Sequence, residues 1–210
     1  MRPSRLIDDV GRQRIEAAVR AAEAETSGEI VVVVERVSGE HAAAPWRFSV
    51  LLAAAVLLGM GLVVPETTVL GLFVGQVLAV AAAIGLCRID SVRRAFILED
   101  ELERSARLAA SRAFTEQGIR RTKDRTGILI YVTLLEHRVV VLGDEAIDRA
   151  LGPDESWEDV VSLVLDGVRG GRATDGIVKA VQRCGEMLAH PLPAGDDDSN
   201  EIAHGLYLSE

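Results

Sequence analysis

The sequence has few of the residues that build disulfide frameworks, metal clusters or aromatic binding surfaces. Its 210 residues contain two cysteines, four histidines and 4% aromatic residues. Cys87 and Cys184 lie far apart in the sequence, so neither a disulfide framework nor a zinc site with closely spaced ligands is indicated. We expect both cysteines to be packing residues.

Short catalytic motifs and basic clusters are also missing. The sequence contains no Cys-x5-Arg phosphatase loop, no Walker loop, no Gly-x-Ser-x-Gly elbow and no His-x-Glu zinc signature. The formal net charge is −9, and the last twenty residues hold five acids and no Lys or Arg. Binding of nucleic acid requires a basic patch, so we expect no nucleic-acid partner.

Charge is almost absent from residues 48–86, where Glu66 is the single charged residue. The apolar runs 48–64 and 69–86 each approach the roughly 20 residues of a membrane-spanning helix. Interfacial flanks such as Trp46 extend them to about 46–64 and 69–87, and Pro-Glu-Thr-Thr forms a tight reversal between them. A buried hairpin in a soluble core is the alternative, but the remaining sequence has too little apolar material to surround it. We therefore predict a transmembrane hairpin within residues 42–89.

Arginines flank this hairpin on both sides, whereas the reversal has none: they are Arg36, Arg47, Arg88, Arg93 and Arg94. Positively charged flanks stay in the cytoplasm. We therefore expect a two-pass protein of the cell inner (plasma) membrane, with both termini in the cytoplasm. The start of the sequence lacks the apolar core of a signal peptide, so we expect no cleaved leader. The lipid bilayer is then an expected partner. Because the two apolar runs contain no charged residue that would mark an ion path, we do not expect a transport function.

Helical and strand patterns alternate outside the hairpin. Helical spacing predicts helices over 7–25, 90–121, 145–151, 157–168 and 174–188. Apolar β-branched runs predict strands at 29–37, 128–135 and 139–142, the last two as a β-hairpin. A connection that contains a helix joins the first two strands, which favours parallel pairing. The result is one α/β domain made of residues 1–41 and 90–190, followed by a disordered acidic tail, 191–210.

Carboxylates cluster after the second strand of the β-hairpin. Strand ends in α/β sheets are frequent ligand sites, hard cations prefer several oxygen ligands, and Gly143 permits an unusual backbone angle. Asp144, Asp148 and Asp154 are therefore a candidate site for Ca²⁺ or Mg²⁺. The alternative is that these acids cap helices. His137 in the hairpin turn is either a general acid or base or a solvated turn residue.

Three segments of the chain carry a family resemblance: "AAEAETSGEIVVVVE" at 21–35, "FTEQGIRRTKDRTGILIYVTLLEHRVVVLGDEAI" at 114–147 and "SWEDVVSLVLDGVRGGRATDGIVKAVQRCGEML" at 156–188. They resemble the TPM-domain family, often called TPM phosphatases, and its bacterial integral-membrane branch in particular. The resemblance implies a fold in which helices sandwich a small mixed β-sheet. Many members carry a Gly-Tyr-Gly-like stretch where this sequence has Leu142-Gly143-Asp144-Glu145.

The resemblance also implies two functions. One is a membrane-anchored accessory factor, without catalytic activity, for the assembly or turnover of other membrane proteins. The other is a divalent-cation-dependent phosphatase that uses the acidic loop. We expect the first, because no catalytic motif is present, and other membrane proteins are then the expected partners.

Overall fold

A computed structural model of the chain describes residues 3–64, 66–151, 156–195 and 205–209. The chain divides into two compact units. One consists of Met1–Gly39 and Glu103–Glu210, and is called the α/β unit here; the other is Glu40–Leu102, the hairpin unit. The α/β unit is thus assembled from segments on both sides of the hairpin unit in the sequence.

A four-stranded mixed sheet forms the centre of the α/β unit. Its strands are β1 (Glu29–Glu35), β2 (Gly127–Thr133), β3 (Arg138–Gly143) and β4 (Leu206–Ser209), in the order β3-β2-β1-β4. The β1 strand pairs in parallel with β2, and β2 pairs antiparallel with β3, so both predicted pairings are confirmed. All seven residues of β2 are buried, which explains its uninterrupted apolar sequence.

The β4 strand corrects the prediction of a disordered tail. Leu206–Ser209 pair in parallel with β1, where Val32 lies opposite Leu206. Leu206 is buried in the core, and Pro193 forms a bridge with Thr26. The tail prediction is therefore wrong for these residues. Residues 196–204 and 210 lie outside the described part of the chain.

Helices of the described residues occupy most of the remaining chain. They are α1 (Pro3–Leu6), α2 (Asp9–Glu23), α3 (Ala43–Val63), α4 (Val69–Leu86), α5 (Asp90–Ala95), α6 (Glu99–Glu116), α7 (Glu145–Ala150), α8 (Glu158–Arg169) and α9 (Ala173–Leu188). The prediction of one helix over 90–121 is wrong, because α5, α6 and a 3-10 turn at Ile119–Arg121 share this segment. Gly118, with φ +72°, interrupts the helical path after α6.

Alternate residues of β1 enter two separate hydrophobic clusters on opposite faces of the sheet. Ile30, Val32 and Val34 pack with α2, α8 and α9 on one face. Val31 and Val33 pack with Ala109, Ala110, Ala113 and Phe114 of α6 on the other. The α/β unit is therefore a sandwich with helices on both faces of the sheet, as the resemblance implied.

The hairpin unit contains two helices that are long and apolar enough to cross a membrane. The α3 and α4 helices have 21 and 18 residues and mean hydropathies of 1.9 and 2.3, with only 6% and 11% of the apolar window buried. Core helices of soluble proteins are mostly buried, unlike these. Thr68 caps α4 by accepting a hydrogen bond from the Gly71 N–H at 3.1 Å. A Cβ on Gly75 would lie 2.8 Å from Met60 Sδ, so this glycine allows α3 and α4 to pack closely.

Candidate functional site at the two edges of the sheet

The acidic loop after β3 lies at the amino edge of the parallel pair. Because β3 runs antiparallel to β2, its last residue, Gly143, lies opposite Ile128 near the start of β2. Ligands of α/β sheets bind at the carboxyl ends of parallel strands, which is the opposite edge. The strand-end argument for a ligand site therefore does not apply to Asp144, and the loop has to be judged by its own contacts.

Gly143 is required for a close approach between β3 and α7. A Cβ at this position would lie 2.7 Å from Ile147 Cγ2 and 3.2 Å from Asp148 Oδ1. The glycines with positive φ in the described chain are Gly118 and Gly171, so the expected unusual backbone angle at Gly143 is wrong. Any larger residue would push α7 away from the strand.

Asp144 caps α7 with one carboxylate oxygen and leaves the other without a partner. Its Oδ1 accepts a hydrogen bond from the Glu145 N–H at 2.9 Å and lies 3.7 Å from Arg125 Nη1. The residue is only 5% exposed. Its Oδ2 is buried and accepts no hydrogen bond from any described residue. Capping thus explains Oδ1, whereas a buried oxygen without a partner requires a separate explanation.

Asp144 also lines a cavity of about 370 Å³. The other lining residues include the hydroxyl side chains of Ser111 and Thr115 and the guanidinium of Arg120. Asp148 is exposed, and Asp154 lies outside the described residues. Within the described chain, no three His, Cys, Asp or Glu side chains are grouped closely enough to hold a metal ion. The three-aspartate site therefore stays a prediction.

A second polar cluster, at the carboxyl edge of the parallel pair, was missed from the sequence. Glu136 is 0% exposed. Its Oε1 accepts hydrogen bonds from the Ser38 N–H at 3.0 Å and the Ser38 hydroxyl at 2.9 Å, and its Oε2 accepts one from the Thr133 hydroxyl. Next to it, His137 is exposed and has φ +52°. No local sequence pattern indicated this cluster, because Ser38 and Glu136 are 98 residues apart in the sequence.

The same edge contains a buried tyrosine that donates to a second carboxylate. The Tyr131 hydroxyl donates to Glu35 Oε2 at 2.7 Å. Burial, followed by this hydrogen bond and the negative charges of Glu35 and Glu136, raises the pKa of Tyr131 well above its ordinary value, although Arg112 opposes the shift. Tyr131 is therefore a protonated hydrogen-bond donor at neutral pH, and its role in this cluster is structural.

Cys184 is the nucleophilic side chain buried in the core of the α/β unit. Burial raises its pKa to about 12, and the nearby Arg183 lowers it only in part. The thiolate is the reactive form of cysteine, so this thiol is inert at neutral pH. Its expected role as a packing residue agrees with this environment.

The chain is similar to one protein-family model and to one solved structure. Residues 89–187 match the family model described as the TPM domain. The NMR structure of the BA42 protein from the psychrophilic bacterium Bizionia argentinensis superposes with a TM-score of 0.60 and 19% sequence identity, over 97% of this chain and 95% of that chain. At this identity the likeness shows the fold alone. No curated protein matches the chain.

Proposed function

Residues 89–187 match the TPM domain, and from that match we propose that the chain is a membrane-anchored accessory factor, without catalytic activity, in the assembly or turnover of other membrane proteins. The single observation that supports this role best is the exposed apolar hairpin between the two segments of the α/β unit. Such a hairpin would anchor a TPM domain at a bilayer.

The exposed side chains of α3 and α4 support the anchor. Leu62 and Val69 are 82% and 85% exposed, and further large apolar residues on the two helices are also exposed: Val50, Leu51, Leu58, Val63, Leu70, Phe73 and Leu78. Soluble proteins rarely expose a contiguous apolar surface of this extent. Lipid would remove it from water, at roughly 25 cal/mol for each Å² covered. The flanking arginines support cytoplasmic termini in the inner (plasma) membrane.

The state of the reactive side chains supports a non-catalytic role. Tyr131 and Cys184 are buried groups with raised pKa values. Glu136 uses both carboxylate oxygens in hydrogen bonds within the protein. Catalytic acids and bases need pKa values near the working pH and access to a substrate. Tyr131 and Cys184 lack both properties, and Glu136, which is 0% exposed, lacks access.

Cysteine labelling in intact cells tests the anchor and its topology. In a background where Cys87 and Cys184 are replaced by alanine, Glu66→Cys and Thr67→Cys should react with a membrane-impermeant maleimide. Gly195→Cys should react only after permeabilisation. Labelling at position 195 in intact cells would invert the topology. Recovery of the unmodified chain in the soluble fraction, without detergent, would rule out the anchor.

The unpartnered Oδ2 of Asp144 favours one second candidate, the divalent-cation-dependent phosphatase. Asp144, Asp148 and Asp154 would hold Ca²⁺ or Mg²⁺, with the hydroxyl groups of Ser111 and Thr115 lining the adjacent cavity. The cation would neutralise phosphate charge. A site filled at about 100 times its dissociation constant stabilises the fold by about 2.7 kcal/mol, so millimolar cation should raise the melting temperature.

Hydrolysis of p-nitrophenyl phosphate by the full chain in detergent separates the two candidates. The assay is run with Ca²⁺, Mg²⁺ or Mn²⁺ and repeated with the Asp144→Asn, Asp154→Asn double variant. Glu145→Gln is the matched control, because Glu145 is an exposed neighbour that pairs with Arg149. Activity that disappears only in the double variant would overturn the non-catalytic proposal. Without activity or a cation-dependent melting shift, Asp144 is a helix cap only.

A further inference from the structure

A groove runs along the outer edge of β3. This strand lies at one end of the sheet, and no strand of the described residues pairs with its outer edge. The groove has a volume of about 560 Å³, and residues 138–142 form its floor. The α6 helix provides one wall and α8 the other, so the strand is recessed between two helices.

The backbone of β3 directs hydrogen-bonding groups into this groove. The Asp144 N–H donates to the Gly127 carbonyl at 2.9 Å, which places residue 144 in a hydrogen-bonded pair with β2. In an antiparallel ladder such pairs alternate along the strand. Val139, Val141 and Gly143 therefore point their N–H and C=O groups away from β2. An edge of this kind is a template for one more strand.

The walls determine which side chains an added strand can carry. Trp157, Val161 and Leu165 line the α8 side, whereas Ala106 and Ser111 line the α6 side. The charged lining residues are balanced in sign: Glu103, Arg107, Arg138 and Glu158. Arg107 pairs with Glu103 at 2.8 Å. An apolar groove with a neutral rim favours an uncharged segment whose apolar side chains alternate along one face.

We propose that this groove binds an extended, uncharged segment of another protein, which pairs with β3 as a fifth strand. The segment would contain about six residues and span about 20 Å, with β-branched or aromatic side chains toward α8 and small ones toward α6. The inference rests on the proposed function for the kind of protein that carries the segment, a membrane-protein client. The groove itself stands independently of it.

A single extended segment fits the recessed edge better than a second copy of the chain. A symmetric pair would bring β3 of each copy to the other, and both strands lie between projecting helices. Two identical concave surfaces are not complementary across a twofold axis. The opposite edge of the sheet shows the mode of binding on a small scale, because β4 adds to β1 through four residues and buries Leu206.

A phage library of random hexapeptides, selected on the full chain in detergent micelles, tests the proposal. Val141→Pro is the counter-selection target, since it removes an N–H that makes no ladder bond, and edge strands tolerate proline at such positions. Uncharged peptides with alternating apolar residues should be enriched. Each should bind Val141→Pro about tenfold more weakly, as expected for the loss of one or two backbone hydrogen bonds.

Chemically altered peptides and a second variant keep the test independent of the proline. N-methylation at alternate peptide residues should abolish binding, and bound peptide should protect the Val139, Val141 and Gly143 amides from hydrogen exchange. Val161→Arg should weaken binding, whereas the matched Leu108→Arg should not, because Leu108 is exposed on α6 and does not line the groove.

The proposal is overturned if no peptide is enriched over Val141→Pro. It is also overturned if the selected peptides bind the wild type, Val141→Pro and Val161→Arg equally. Neither result changes the cysteine labelling pattern or the partition of the chain into membranes. Failure of the groove is therefore distinguishable from failure of the proposed anchor.

Discussion

The Ser38 hydroxyl donates a 2.9 Å hydrogen bond to the buried Glu136 carboxylate, from the other side of the inserted segment in the sequence. The first segment of the α/β unit ends at Gly39, one residue after Ser38, and the second segment begins at Glu103, two residues before Ser105. The Ser38 and Ser105 hydroxyl groups are also hydrogen-bonded, at 3.0 Å. One buried carboxylate thus holds the chain where it leaves the α/β unit and, through Ser38, where it returns.

Removal of the Glu136 carboxylate should destabilise the α/β unit. Glu136→Ala leaves the Ser38 N–H and the Ser38 and Thr133 hydroxyl groups without their acceptor, at a cost of about 2–4 kcal/mol. Glu136→Gln keeps part of the acceptor capacity and should cost less. Thermal melts in detergent measure both, with Glu145→Ala as an exposed control. Melting temperatures equal to that control would show that the network contributes no stability.

Alkaline pH should weaken the fold through Tyr131. Because its pKa is raised in the folded state from an ordinary value of 10.0, the stabilisation is complete below pH 10.0 and is lost as pH rises above it. Tyr131→Phe removes the hydrogen bond to Glu35 and should lower the free energy of unfolding by about 1 kcal/mol at pH 8. Above pH 10.0 the free energy of unfolding of this variant should decline less steeply than that of the wild type.

The comparison is made in a Cys184→Ala background, since the pKa of Cys184 is also raised. Unfolding is measured at intervals from pH 8 to pH 11. Parallel pH profiles for the tyrosine and phenylalanine forms would contradict the assignment.

A charge in the middle of β1 should disrupt the α/β unit whichever face it enters. Val32 and Val33 belong to the two opposite hydrophobic clusters, so Val32→Asp and Val33→Asp each bury an unpaired carboxylate. Each should cost at least about 3 kcal/mol and expose residues 128–142 to protease, because β2 pairs with β1. Val10→Asp, at an exposed site of α2, is the control. Unchanged protection in both core variants would mean that the two segments fold separately.

The β4 strand should contribute measurably to stability despite its four residues. Leu206→Asp places a charge in the cluster that contains Val32 and Val34, and should cost at least about 2 kcal/mol. Ser209→Asp on the same strand is exposed and should change the stability by less than about 0.5 kcal/mol. If both variants have the melting temperature of the wild type, β4 does not stabilise the sheet by pairing with β1 in solution.

Local patterns were sufficient for the elements that bury a continuous apolar sequence. The valines of β1 and the two runs joined by the Glu136-His137-Arg138 turn predicted β1, β2 and β3, because β-branched residues favour buried strands. The parallel pairing followed from the connection between the strands. The length and apolar composition of residues 48–86, which contain the single charged residue Glu66, predicted α3 and α4. For the candidate site, the same reasoning identified Asp144 both as a cap and as a candidate ligand.

Only the tertiary structure determined which of these residues meet. Leu206 forms a strand because β1 offers its edge at Val32, although the last twenty residues contain five acids. Glu136 is buried because Ser38 and Thr133 satisfy its carboxylate. Asp144 lies at the amino edge because β3 reverses direction against β2. The sequence alone determined the local elements, since backbone propensity and apolar periodicity act over a few residues. Burial of a polar group or a short strand depends on partners that the folded chain brings from distant segments.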